Sequence, residues 1–283
     1  MKKISVVFII MTLLSIFNSY RKPLNYLENN TPIYLSNQCE ENEVCFETEK
    51  YTLTTFNIEK GHKISEAISL LQNHPKLNQT DIFLLQEMDH EGTRIIAEAL
   101  SLNYLYIPIN NEYGTQKDFG NSIISRGAIS DPHKLILPHG QLHNGRKRSA
   151  SFATLTLDSL KLRIASAHLA TPFMTTKKRY EQVQHIEEYI EKDSIDYDGY
   201  LVGGDFNAIT NQFRSKIINK FDNLGFEYST SGLGMTHLSK IPMLKPELDM
   251  VFSKGVNVID KGKVADKTAS DHFPVWVDFE VCE

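Results

Sequence analysis

The chain has 283 residues, with 30 Lys and Arg against 35 Asp and Glu, a formal charge of −5, and 41% hydrophobic residues. That apolar content with so small a net charge excludes a disordered chain, and 15 Gly and three Cys exclude collagen and a disulfide-dense miniprotein. A single long apolar stretch excludes a multi-pass membrane protein, and the mild acidity argues against a dedicated nucleic-acid binder while leaving room for an enzyme that meets nucleic acid transiently.

That stretch comes first. Met1-Lys2-Lys3 precedes an apolar run from Ile4 to Phe17, broken only by Ser5, Thr12 and Ser15. Two Lys before such a run read as the start of a secretory signal. A spanning helix needs about 20 apolar residues, so the run is short for that role. No small-x-small cleavage site stands around Phe17-Asn18-Ser19-Tyr20, which leaves a membrane anchor open. Residues 1–20 are therefore expected to be a signal peptide or an N-terminal anchor, with the body exported. Residues 21–49 read as a polar lead-in. Within it Cys39 and Cys45 suit a local disulfide or a metal site, and Cys282 is left over.

Residues 50–283 read as one catalytic domain. Tyr51–Ile58 alternates as a strand, Ile64–Leu71 has helical spacing, and Asp81–Gln86 is a continuous apolar run typical of a strand buried on both faces. Thr93–Leu100 reads as a helix, and Tyr104–Pro108 and Asn121–Ser125 as strands. Ala150–Leu157 and Leu162–Ala167 flank the turn signal Asp158-Ser159 as a hairpin. Lys177–Glu191 is an amphipathic helix. Tyr200–Val202, Leu248–Phe252 and Pro274–Phe279 are strands, and Phe213–Phe221 is a helix. Several hairpins and few helices predict packed sheets with helices outside.

Chemistry-bearing residues sit at or just past these strands: Asn57, Glu87, His168, Asp205 with Asn207, Asp249, and Asp271 with His272. Strand ends are rigid, so such side chains can converge on one sheet edge. Glu87, Asp271 and Asn57 are hard oxygen donors that suit Mg²⁺ or Mn²⁺. His168 and His272 suit proton donation or charge clamping near neutral pH. Asp249 can orient His272 through its other ring nitrogen. Asp205 can hold or deprotonate a water, with Asn207 placing it. One metal, one base and two His suit attack of water on phosphorus. Taken singly, each residue has a plainer explanation: a solvated carboxylate, a cap, a core His, or a tight turn at Gly203-Gly204-Asp205.

With Gly204-Asp205-Phe206-Asn207-Ala208, Ser270-Asp271-His272-Phe273-Pro274 and Leu85-Gln86-Glu87 in this order, the chain from Tyr51 to Phe279 resembles the endonuclease/exonuclease/phosphatase superfamily. That group holds pancreatic-type deoxyribonuclease, abasic-site endonucleases, neutral sphingomyelinases and inositol-phosphate 5-phosphatases. The resemblance implies an α/β (α+β) fold, a four-layered sandwich of two packed mixed β-sheets flanked by helices. It implies Glu87 as principal Mg²⁺ ligand, with Asn57 and Asp271 beside it. It also implies Asp205 at the water, Asn207 on the phosphate, and His272 as phosphate clamp held by Asp249. His168 matches the additional His of the deoxyribonuclease and sphingomyelinase branches. Asn121 and Arg148 match substrate-facing positions, and Glu59 a place that is acidic in only some members.

The leading expectation is an exported, metal-dependent phosphodiesterase acting as a monomer, with nucleic acid favoured over a lipid headgroup. The basic cluster Arg146-Lys147-Arg148 tilts the balance, because it can track a phosphate backbone. Lys177-Lys178-Arg179 reads instead as a solvated helix start. A lipid phosphodiesterase of sphingomyelinase or phosphoinositide type is the alternative, with Ile241-Pro242-Met243-Leu244 as a small apolar loop. A catalytically inactive binding module is the third reading.

Overall fold

Tyr51–Asn57 shows how the layers arise. Leu53 points into the cluster between the two sheets, whereas Phe56 points into a cluster under helices. A period of two therefore loads both faces of one strand. The computed structural model describes residues 24–37, 50–111, 117–142, 144–239 and 245–281. Residues 1–20, Cys39, Cys45, Cys282 and Ile241–Leu244 lie outside the described residues.

In chain order the strands are β1 (Tyr34–Ser36), β2 (Tyr51–Asn57), β3 (Ile82–Met88), β4 (Asn103–Asn111), β5 (Asp118–Ser125), β6 (Ala128–Ile136), β7 (Ser149–Leu157), β8 (Leu160–His168), β9 (Gly199–Asp205), β10 (Glu227–Tyr228), β11 (Asp249–Lys254), β12 (Val256–Lys263) and β13 (Val275–Val281). The α-helices are α1 (Ile64–Asn73), α2 (His90–Leu100), α3 (Thr176–Lys192) and α4 (Asn211–Asn223). One sheet runs β1-β4-β5-β3-β2-β13-β12 and the other β10-β11-β9-β8-β7-β6. Both are mixed: β2 and β3 are parallel in the first, β8 and β9 in the second, and the remaining pairs are antiparallel.

Three apolar clusters define four layers. Leu84, Ile107 and Ile123 of the first sheet meet Leu155, Ile164 and Leu201 of the second. Ala67 and Leu71 of α1 and Ile96 of α2 cover the outer face of the first sheet with Phe83 and Leu85. Val183 and Ile186 of α3 and Phe213 and Ile217 of α4 cover the second with Phe152 and Phe206. The expected sandwich is therefore what forms.

Four strands were not legible in the sequence: β1, β6, β12 and β10, the last only two residues long. β6 is an edge strand containing Pro132, with a register shift between Ser130 and His133. Pro is tolerated there because an edge has amides that need no partner. β12 is the opposite kind of edge, largely polar and exposed, so its pattern carries no apolar alternation. The lead-in is also not wholly irregular. β1 pairs with β4, and Asn25 bridges to Asn110. Lys134, fully buried, donates from Nζ to Thr31 O at 2.5 Å and so ties this segment to β6.

Candidate active site

β2 and β3 run parallel and finish together, with Asn57 opposite Gln86. The next residue, Glu87, sits on a bulge. Gln86 pairs with Asn121 and Met88 with Gly120, so Glu87 has no cross-strand partner. Its φ of +61° is left-handed, a state that costs a non-glycine residue about 1–2 kcal/mol. A bulge re-aims one side chain out of the strand's alternation. Glu87 Oε1 consequently lies 3.8 Å from His168 Nε2, on the facing sheet. Among the described residues no hydrogen-bond donor reaches this carboxylate.

The second sheet supplies three groups at one level. His168 ends β8 opposite Asp205 at the end of β9, and Asp249 begins β11 opposite the same Asp205. Close approach makes this possible. Gly203 and Gly204 lie within β9, not in a turn. A Cβ on Gly204, at φ +151°, would stand 1.8 Å from Ala167 O.

Asp205 is the hub. Its Oδ2 accepts from Asn57 Nδ2 and Asn207 Nδ2, each at 3.1 Å, and its Oδ1 accepts from the Asn207 amide at 2.8 Å. His168 Nε2 and His272 Nε2 lie 3.5 and 3.9 Å from Oδ2. Burial pushes the Asp205 carboxyl above the usual carboxylate range, against the pull of His272 and the Asn207 amide. The two His are driven apart. Burial lowers His168 well below the ordinary imidazole value, and the positive charges of Arg148 and His272 add to that. Burial would lower His272 as well, but the carboxylates of Asp249, Asp205 and Asp271 raise it above the ordinary value. Their surroundings thus push the two imidazoles in opposite directions. His272 Nδ1 is 2.9 Å from Asp249 Oδ2. Asp271 pairs with His237, whose Nε2 is 3.4 Å from Oδ2. Burial raises its carboxyl, but His237 and His272 outweigh burial and the net shift is downward.

Arg148 is buried, with its guanidinium 4.9 Å from the Phe119 ring, which in turn lies 5.9 Å from the His168 ring. Its Nε and Nη1 have no hydrogen-bond partner among the described residues, and neither nitrogen of His168 has one. Burial lowers the Arg148 pKa, and the carboxylates of Glu87 and Asp205 oppose that loss of charge. These buried donors, without protein partners, form a polar cradle of a kind that suits an anion. Asn121 is placed differently from its expected part. Its Nδ2 donates to Ser149 O at 3.0 Å and Ser166 O at 3.1 Å. Both amide hydrogens join strands, which leaves a phosphate no donor there. Glu59 gives its backbone amide to Asn57 Oδ1 at 3.0 Å, fixing which way the Asn57 amide points.

Sequence reasoning missed two residues. Arg179 was expected on a solvated helix start but is 3% exposed. Its Nη1 donates to Asn207 O at 2.7 Å, and its guanidinium lies over Phe213 at 4.2 Å. The signal was present: Arg179, Val183, Ile186 and Ile190 share one helical stripe. His237 lies in an irregular segment with no periodicity to mark it.

Comparison with known proteins bears on the family and the fold. A family model described as Endonuclease/Exonuclease/phosphatase family matches residues 54–272. No curated protein matches the chain. Among solved structures, an endonuclease/exonuclease/phosphatase family protein from Bacteroides thetaiotaomicron is 18% identical, with a TM-score of 0.65 over 83% of this chain and 98% of that one. D. rerio TDP2 complexed with a single-strand DNA product is 14% identical, with a TM-score of 0.61 over 82% and 99%. A mannosyl-6-phosphatase from Bacteroides thetaiotaomicron VPI-5482 is 18% identical, with a TM-score of 0.59 over 81% and 99%.

Proposed function

Since the chain belongs to the endonuclease/exonuclease/phosphatase family and is thereby a phosphoric-ester hydrolase, we propose that it hydrolyses phosphodiester bonds, with nucleic acid as the favoured substrate. The observation that carries this reading is the cradle of Arg148 and His168, whose buried donors are unpaired beside Asp205 and Glu87. A phosphodiester is singly charged and presents two non-bridging oxygens to such donors. Arg146 and Lys147 precede Arg148 and extend the positive charge along a backbone. The solved complex of D. rerio TDP2 holds a single-strand DNA product.

Family members generally depend on a divalent metal. The donor set fits a hard cation: Glu87 is a carboxylate without a donor, Asp271 a carboxylate kept ionised, and Asn57 an amide oxygen. These three residues would hold Mg²⁺ or Mn²⁺, which when bound supplies charge against the phosphoryl oxygens. The chain's own groups do the rest. Asp205, held by two amides and raised by burial, takes the proton of the attacking water. Both Asn207 Nδ2 hydrogens are spent, on Asp205 Oδ2 and Leu169 O, so unlike its expected part it gives the phosphate no donor, and only its Oδ1 is left to orient that water. His272, kept charged by Asp249, clamps the phosphate and protonates the leaving oxygen. Arg148 and neutral His168 donate to the non-bridging oxygens.

A second reading has its own observation. Leu142 and Phe173 are 66% and 77% exposed in loops that follow β6 and β8 at the same end of the sandwich. Two apolar side chains there suit a lipid headgroup enzyme working at a bilayer surface. Export is part of the proposal and rests on the Lys2-Lys3 and Ile4–Phe17 pattern. A purely cytoplasmic pool on fractionation refutes it.

The test is a hydrolysis panel on the full-length chain, with Glu87→Ala as blank and EDTA as metal-free control. Plasmid DNA, a single-stranded oligonucleotide, sphingomyelin vesicles and bis-p-nitrophenyl phosphate are compared. Glu87-dependent cleavage of nucleic acid is expected. Headgroup release without nucleic-acid cleavage moves the enzyme to the lipid reading. Silence on every substrate from folded protein with Mg²⁺ or Mn²⁺ present leaves a binding module.

A further inference from the structure

His237 stands where two otherwise separate loops meet. Its residue pairs with His272 as an antiparallel bridge. The Leu238 amide donates to Asp271 O at 2.7 Å, and the Phe273 amide donates to Thr236 O at 2.7 Å. Thr236 is fully buried, and its Oγ1 accepts from the Leu248 and Asp249 amides at 2.9 and 3.1 Å. The backbone on either side of His237 is thus fixed to both Asp249 and Asp271. From this mount the imidazole reaches Asp271 with Nε2 3.4 Å from Oδ2. Its ring stands edge-on to His272 at 4.6 Å. Its Nδ1 is buried and has no hydrogen-bond partner among the described residues.

The Asp271 side chain is 37% exposed. A carboxylate that open rotates about χ1 and χ2 unless one oxygen is held. His237 lies against one oxygen, Oδ2, and so limits that rotation. We propose that His237 is a positioning residue that presents Asp271 to the divalent metal, an inference that rests on Asp271 being a ligand. Partners of ligating groups typically set metal affinity by about 10–100-fold. A His237–Asp271–His272 metal site is the competing idea, since their ligand atoms lie within 4.8 Å of one another. The geometry disfavours it. His272 commits Nδ1 to Asp249, and its Nε2, 3.9 Å from Asp205, is the nitrogen assigned above to the phosphate and leaving oxygen, a role that a cation there would remove.

Mn²⁺ binding to the full-length chain, followed by the electron paramagnetic resonance of free Mn²⁺, tests this without reference to turnover. His237→Leu is expected to raise the Mn²⁺ Kd about tenfold or more, and His237→Gln, whose amide can still donate to Asp271, to stay within about threefold of wild type. Saturating Mn²⁺ should return most of the kcat of His237→Leu, because the groups that act on water and phosphate are untouched. A folded His237→Leu protein with the wild-type Kd overturns the proposal. So does loss of a whole Mn²⁺ equivalent with the remaining Kd unchanged, which makes His237 a ligand itself. Should His237→Leu not fold, His237→Asn, polar but too short to reach, takes its place beside His237→Gln. Asp271→Asn separates the two layers. An unchanged Kd there removes the ligand reading of Asp271 and this proposal with it. A weakened Kd there with none in His237→Leu removes the positioning role alone.

Discussion

His272 Nδ1 and Asp249 Oδ2 lie 2.9 Å apart across the seam between the two sheets. Asp249 opens β11 of one sheet, and His272 precedes β13 of the other. One hydrogen-bonded ion pair therefore reports the alignment of the whole sandwich at the site. The carboxylate keeps the imidazole charged despite burial. A His whose folded pKa is raised contributes stability that is complete below its unfolded value, about 6.5, and is lost as pH rises through the folded value. Activity that needs the charged imidazole follows the same limb. Asp249→Asn should bring the alkaline limb of kcat/KM down toward neutrality and cut turnover by about 10²–10⁴-fold. An alkaline limb left in place by this substitution sinks the role given to the pair.

Arg148 illustrates a conflict between binding and stability. Its Nε and Nη1 are buried without partners, and a buried donor left unpaired costs about 1–3 kcal/mol. Replacing it by Met removes that cost together with the phosphate contact. Arg148→Met is expected to melt at or above the wild-type temperature while losing about 10²-fold in kcat/KM. Thermal melts beside kinetics check this, and a markedly lower melting temperature would show that the guanidinium serves the fold instead.

Gly204 is the tightest point of the second sheet. At φ +151° any Cβ would stand 1.8 Å from Ala167 O, part of the strand that carries His168. Backbone cannot yield as a flexible side chain does. Gly204→Ala should destabilise by about 4 kcal/mol or more, the range reserved for strain and overpacking in a core. Denaturant unfolding measures it, and a loss under about 1 kcal/mol is incompatible with the β8–β9 spacing.

Lys134 makes stability depend on pH away from the site. Burial lowers its pKa from 10.5 to about 8, opposed by Glu28. A depressed Lys pKa means that the folded chain releases the proton first. Between about pH 8 and 10.5 the unfolded chain holds more protons, so stability rises with pH in that window. Wild-type stability should therefore climb relative to Lys134→Met from pH 8 to pH 10. Parallel curves would show that Nζ stays charged against the Thr31 carbonyl.

The periodic parts of this protein are legible in the chain's own residue pattern. Alternation in Tyr51–Asn57, the apolar run ending at Gln86 and the stripe of α3 are local patterns, and burial acts on each residue's own spacing. The chemistry-bearing residues were visible for a related reason, since polar groups stand out at the ends of apolar strands. What each of them touches depends on how distant segments pack. Asn121 looked substrate-facing but spends its amide on Ser149 and Ser166, because β5 faces β7 and β8 across the core. Arg179 looked solvated but supports Asn207. The pairing of His237 with Asp271 depends on a bridge between segments far apart in the chain. Such contacts follow from how two sheets stack, and no local period encodes that.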